Sequence, residues 1–213
     1  MKEKIKEFIV KNLKWIILFI CLIGFFALAE DVFNKEIMNG DIIGYKIVST
    51  FLISDFATPI AKFVTNFGGA IFLIVLTIVL VILIKNKKIG ISIFSNLVII
   101  TILNQLIKRI LQRPRPTEYR IIEETGYSFP SGHSMVSMAF YGYLIYLIYK
   151  YVKNKYLKWI SIVLLSILIC SIGVSRIYLG VHYTSDVLGG FLLSISYLVI
   201  YISAVNKFLI KDK

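Results

Sequence analysis

A histidine and an aspartate four residues apart, His182 and Asp186, close the stretch Ser175–Asp186, which lies between two apolar runs. On a helical turn that spacing puts both side chains on one face, within hydrogen-bonding reach. A carboxylate so placed fixes the imidazole tautomer and stabilises the imidazolium, leaving the other ring nitrogen free to act as base or nucleophile. Arg176, six residues before His182, brings a permanent charge on a planar fork suited to phosphate. Taken alone, the same spacing equally fits an extramembrane loop with an incidental ion pair.

Two further clusters bear on that choice. Lys108, Arg109, Arg113 and Arg115 place four cations in eight residues, and Pro114 and Pro116 stiffen the exit and aim Arg115. They would suit an anion site, or anchorage to anionic head groups. Pro130-Ser131-Gly132-His133 opens another apolar run. Pro and Ser are helix-start residues, and a helix N-terminus offers free N–H groups and a positive dipole end to an anion. Gly132 admits close approach to the backbone, and His133 supplies a proton donor. An ordinary capped helix would explain the Pro and Ser, but not why His133 and His182, the two histidines of the chain, fall on one side of the membrane.

The elements that must position these groups are apolar. Of 213 residues, 58% are hydrophobic, and the mean hydropathy is +0.81. That is the composition of an integral membrane protein. Runs at Trp15–Ala29, Phe63–Ile84, Ile89–Ile107, Thr125–Tyr149, Trp159–Ser175 and Val187–Asn206 predict six transmembrane helices. The fold expected is all-α, one membrane-embedded domain over 1–213. Residues 30–62 read as extracytoplasmic amphipathic segments at the membrane surface, packed against the spans, with Thr58-Pro59 breaking the last of them. Ala27-Leu28-Ala29 before Glu30 also resembles a signal-peptidase site, so a cleaved leader is an alternative to a first span.

Net charge is +12, which on a soluble chain would suggest nucleic acid. Its placement argues otherwise. With the N-terminus cytoplasmic, the cytoplasmic segments carry fifteen Lys against Glu3, Glu7 and Asp212, while the opposite side carries nine cations and nine acids. This positive-inside bias puts both termini in the cytoplasm and all three clusters on the extracytoplasmic face. Cys21 and Cys170 lie in apolar runs and read as small hydrophobes, and no metal-type Cys/His spacing occurs.

These residues resemble the signature of the type 2 phosphatidic acid phosphatase family, whose relatives include glucose-6-phosphatases and vanadium haloperoxidases. Its pattern, K-x6-R-P, P-S-G-H and S-R-x5-H-x3-D, is matched by Lys108…Arg115-Pro116, by Pro130-Ser131-Gly132-His133 and by Ser175-Arg176…His182…Asp186. The resemblance covers roughly 63–206. It implies that Lys108, Arg115 and Arg176 grip phosphate oxygens, with Ser131 and the Gly132 N–H adding hydrogen bonds. His182 would attack phosphorus to give a phosphohistidine, Asp186 would orient it, and His133 would protonate the leaving oxygen and then activate water. No cofactor and no metal are implied. The partners expected are the bilayer and a lipid phosphate: phosphatidylglycerol phosphate, phosphatidic acid or undecaprenyl pyrophosphate. A non-catalytic anionic-lipid transporter or binding protein is the competing reading, although no charge interrupts the later spans at mid-depth. Arg109, Arg113 and Arg120 fall outside the signature and are expected to be solvated or to touch head groups. Tyr127, Tyr178 and Tyr183 are expected to be interfacial aromatics.

Overall fold

The computed structural model describes residues 2–35 and 38–210, with side chains from residue 11 onward within those ranges. The side-chain charges at residues 1–10, at Glu36 and at 211–213 that enter the topology count lie outside these limits. Eight helices follow in order: α1 (Lys2–Phe33), α2 (Asn39–Phe51), α3 (Ala57–Asn66), α4 (Ala70–Leu83), α5 (Lys87–Leu111), α6 (Gly132–Tyr151), α7 (Lys155–Tyr178) and α8 (Thr184–Phe208). Among the described residues there is no strand.

Local chemistry sets the helix ends. Asn86 accepts from Lys88 N to start α5, and Asn154 accepts from Leu157 N to start α7. Gln112, left-handed at φ 46°, closes α5. At the start of α8, Asp186 in the first turn reaches back to accept from Tyr183 N at 2.8 Å.

Helix α6 lies in the middle, packed against α5, α7 and α8, while α1 lies along α8 and α4 along α5. Phe140, Tyr141, Tyr143 and Ile172 are buried there. The outer faces are the opposite of a water-soluble surface: Ile71 is 82% exposed and Ile82 75%. Lipid solvates such a face, so side chains bind the helices to one another mainly by packing and by interhelical hydrogen bonds. One polar seam joins α5, α6 and α8: Tyr143 Oη donates to Ser92 Oγ, and Tyr201 Oη to Ser92 O.

Among the described residues four helices are long and apolar enough to cross a membrane, within Lys11–Phe33, Lys87–Leu111, Lys155–Tyr178 and Thr184–Phe208; α3 and α4 together, bent by 49°, reach the same length and apolarity as a broken span or a re-entrant pair. The run read as an unbroken span from Phe63 is therefore broken, at residues 67–69 between the two helices. Pro59 does not break a helix: it sits in the first turn of α3, where its missing N–H has no intrahelical acceptor to lose. Helix α6 is less apolar than those four helices, because its interior position admits Ser, Tyr, Gly and His. The Ala27–Ala29 segment lies inside α1, whose Leu18, Cys21, Phe25 and Val32 are buried.

Residues 39–66 do pack on the spans, as α2 against α7 and α8 and α3 against α7. Their apolar stripe points outward, however, with Ile43, Ile47 and Phe51 exposed. The inward face of α2 carries a carboxylate, Asp41. Cys21 is buried as expected, whereas Cys170 is exposed. It lines an apolar groove of about 880 Å³ between α1, α6, α7 and α8, toward the end of α8 far from Asp186.

Candidate active site

The three clusters meet at one end of the bundle, where the last turns of α5 and α7 face the first turns of α6 and α8. There Lys108, Arg115, Gly132, His133 and His182 line a cavity of about 420 Å³, joined by Glu124. This cavity is smaller than the apolar groove, but it is lined by both histidines and by two of the three signature cations. Ser131, Arg176 and Asp186 stand behind its wall, each no more than 1% exposed.

His182 does not share a helix with Asp186. It lies in the connection between α7 and α8, two residues before the first turn that contains Asp186. The pairing survives: His182 Nδ1 lies 3.3 Å from Asp186 Oδ2. The other ring nitrogen, Nε2, lies 3.0 Å from Arg115 NH1. A guanidinium only donates, so Nε2 must carry the lone pair and Nδ1 the proton. The imidazole is thus held in the tautomer a nucleophile needs, with its lone pair engaged by Arg115, which lines the cavity beside it.

Asp186 is fully buried and heavily hydrogen-bonded. Oδ2 accepts from Ser128 Oγ and from Tyr183 N, and Oδ1 accepts from Arg113 NH1 at 2.7 Å. The expectation that Arg113 is solvated or touches head groups is therefore corrected: it is 6% exposed. It is buried between Asp186 and Asp41, with Tyr183 stacked on it at 4.1 Å. The surroundings of the other two unassigned arginines are less enclosed: Arg109 is exposed, while Arg120 donates to Pro116 O. Tyr178 is likewise no interfacial ring. It is 3% exposed and its hydroxyl bonds Ser54 and Thr58, tying α7 to the start of α3.

Two of the three signature cations, Lys108 and Arg115, are pre-positioned by backbone carbonyls, and Arg176 by side chains. Lys108 Nζ donates to Tyr127 O and to Ser128 O. Arg115 donates to Thr125 O, Gly126 O and Val181 O, besides His182. Arg176 NH1 donates to Thr65 Oγ1 at 2.8 Å and NH2 to Glu124 Oε1 at 2.5 Å, while its buried Nε has no partner among the described residues. Glu124 also lies 4.0 Å from Arg115. Burial pushes the Glu124 carboxyl up, but the hydrogen bond and charge of Arg176, with the charge of Arg115, hold it below the ordinary range. It is thus an anion lodged between two of the three cations.

Ser131 caps α6: its Oγ accepts from Ser134 N at 3.4 Å and from Ser134 Oγ at 2.9 Å. Its hydroxyl thus starts the helix, with Gly132 lining the cavity next to it. His133 is approached by the break between α3 and α4. A Cβ added to Gly68 would stand 3.2 Å from His133 Cδ2 and 2.8 Å from Ile172 Cγ2, so glycine there keeps the ring's place. Among the described residues, no three His, Cys, Asp or Glu side chains gather as a metal-binding group.

Burial pulls His182 from its ordinary 6.5 down to about 4; the hydrogen bond and charge of Asp186 oppose this, and Arg115 and Arg176 add to it. Between these two values the unfolded chain binds a proton at this residue that the folded chain refuses. Its contribution to stability is therefore full above pH 6.5 and declines as the pH falls toward 4. The same sign applies to reactivity. With His133→Asn leaving His182 as the one histidine, its reaction with diethyl pyrocarbonate is expected to fall off only near pH 4. A midpoint at 6.5 or higher would contradict the assigned environment.

Fold and site together define a class: a membrane-embedded helical protein with a cationic, two-histidine cavity at one end of its bundle. The chain belongs to the PAP2 superfamily, whose family model matches residues 89–210. Phosphatidylglycerophosphatase B of Bacillus subtilis is 38% identical over 96 residues, 44% of this chain and 47% of that protein. Undecaprenyl-diphosphatase of Sulfolobus acidocaldarius is 28% identical over 182 residues, 82% of this chain and 80% of its own length. The match thus spans about half of the first relative and most of the second. The crystal structure of a transmembrane PAP2-type phosphatidylglycerolphosphate phosphatase from Bacillus subtilis superposes with a TM-score of 0.79 at 24% identity, covering 90% of this chain and 96% of that one. Aquifex aeolicus LpxE superposes at 0.62 and 21% identity, over 75% and 92%. At these identities the two structures bear on the fold.

Proposed function

We propose that this protein is a lipid phosphatase that removes a terminal phosphate through a phosphohistidine on His182. The observation that carries the reading is the His182 geometry, with Nδ1 held toward Asp186 and the Nε2 lone pair held by Arg115 at the edge of the cavity that both residues line. Nε2 attacks phosphorus; the N–P bond forms as the bond to the lipid oxygen breaks, and His133 gives its proton to that oxygen. Water then attacks phosphorus, His133 takes its proton, the N–P bond breaks and inorganic phosphate leaves. Lys108, Arg115 and Arg176, with the open N-terminus of α6, spread the charge on the equatorial oxygens. For Arg115 to grip phosphate it must release Nε2, so substrate binding itself frees the nucleophile. The phosphate must also compete with Glu124 for Arg176.

A substrate whose phosphate lies at head-group level fits a cavity at the end of a bundle with lipid-facing sides. Phosphatidylglycerol phosphate, phosphatidic acid and undecaprenyl pyrophosphate all qualify, and the names of the two relatives above favour the first and third. The apolar runs support six crossings, with α6 as the interior one, and the positive-inside charge bias supports an extracytoplasmic site. The test is phosphate release from a panel of these lipids in mixed micelles. Three cations and a helix N-terminus do the electrostatic work in this scheme, so turnover is expected to persist in excess EDTA. Vanadate, which adopts the five-coordinate geometry of the transferring phosphorus, is expected to inhibit in competition with the lipid. Loss of turnover in EDTA that divalent cations restore would refute the metal-free scheme.

A further inference from the structure

Arg113 is shared between two carboxylates from distant parts of the chain. NH1 donates to Asp186 Oδ1 and Ser185 Oγ, and NH2 to Asp41 Oδ2, all at 2.7 Å. Asp41 is itself 3% exposed. It also accepts from Ser185 N at 2.8 Å and Ser185 Oγ at 2.9 Å. One turn beyond it, Gly44 lets α2 come down on the start of α8: a Cβ there would stand 2.1 Å from Thr184 Oγ1. Asp41 lies on α2, well before residues 89–210 that match the family model, and it lines no part of the cavity.

The arrangement has an electrostatic consequence. Alone with Asp186, Arg113 would form a neutral pair, and the carboxylate would have little charge left for an imidazole that becomes cationic as it attacks phosphorus. With Asp41 on its other edge, Arg113 is neutralised from both sides, and the three groups together stay negative by one. That remaining charge is what favours the charged form of His182. Ser185 locks the geometry, because one hydroxyl donates to Asp41 and accepts from Arg113.

We propose that Asp41 is a positioning residue of the active site, holding Arg113 and Ser185 so that Asp186 keeps both its place and its charge toward His182. The inference rests on the phosphohistidine reading above. It assigns to the segment before the family-matched region a part in the chemistry.

The test compares Asp41→Asn, Asp41→Glu, Arg113→Gln and the Asp41→Asn/Arg113→Gln double variant with the wild type, using phosphate release from phosphatidic acid micelles, with thermal unfolding of each in the same detergent. Asp41→Asn is expected to lower kcat by about tenfold to a hundredfold, as for other residues that orient a reacting group from behind. KM should stay within about threefold, because Asp41 does not touch the cavity. Asp41→Glu should recover most of kcat. The double variant should be no worse than Arg113→Gln alone, because Asp41 acts through that guanidinium. A kcat for Asp41→Asn within about twofold of wild type, a loss confined to KM, or a double variant that falls by the product of the single losses would each overturn the proposal. If Asp41→Asn fails to fold, Ser185→Ala serves instead: a severalfold loss of kcat at unchanged KM supports the proposal, and an unchanged kcat overturns it. A wild type inactive on every lipid phosphate overturns the phosphatase reading and this inference together. An active wild type with an indifferent Asp41→Asn overturns this inference alone.

Discussion

Replacing His182 with alanine is expected to lower phosphate release by about 10⁴-fold or more, a loss comparable to deleting the nucleophile of other covalent hydrolases. At roughly 1.4 kcal/mol per decade this is at least about 5.5 kcal/mol of transition-state stabilisation. The cations and the N-terminus of α6 remain in the variant, so lipid binding should survive and the loss should fall on kcat. Quenching the wild type in alkaline detergent during turnover of a radiolabelled terminal phosphate should trap labelled protein that loses its label on acidification, as an N–P bond does, and the alanine variant should trap none. The experiment also separates catalysis from lipid binding without chemistry. A transporter that uses the same cations would release no phosphate in either form. Turnover at the wild-type rate in His182→Ala would refute the covalent route.

Asp186→Asn is expected to cost about 10³- to 10⁴-fold in kcat, by the logic that removing the charge behind a catalytic histidine releases the wrong tautomer. Three changes act in the same direction. An amide no longer requires the proton to sit on Nδ1, so once Arg115 has released Nε2 to grip phosphate the imidazole is free to place the proton on Nε2, where it blocks attack. The hydrogen bond and charge of Asp186 are what hold the proton affinity of His182 up against burial, so the variant should move His182 further below about 4. Arg113, which donates to Oδ1 at 2.7 Å, keeps only Asp41 as a charged partner. The diethyl pyrocarbonate profile, repeated in a His133→Asn background, reads the second effect directly: its midpoint should fall. A midpoint that rises would contradict the sign assigned to Asp186. A kcat within tenfold of wild type would show that Asp186 does not control the tautomer.

Much of the chemical inventory was legible in the sequence because it is written at helix ends. Ser131 caps α6, Asp186 lies in the first turn of α8, Lys108 in the last turn of α5 and Arg176 in the last turn of α7, and each position is fixed by its immediate neighbours. The apolar runs likewise announced helices long enough to meet lipid, because the bilayer solvates a whole segment and not a contact. The break at residues 67–69 was less legible, since two glycines between apolar runs read equally as span interior.

What pairing a charge makes is a different kind of information, and only the tertiary structure held it. Arg113 looked surplus beside Lys108 and Arg115, and Asp41 looked like one acid among several on a surface segment. They meet across 72 positions of sequence because α2 folds onto the start of α8, and burial then obliges each to find the other. Glu124 and Thr65 reach Arg176 for the same reason, from a connecting loop and from the last turns of α3. Local spacing determines which groups a helix end presents. Long-range packing decides which charges are removed from water and therefore which must be partnered, and no short pattern encodes that.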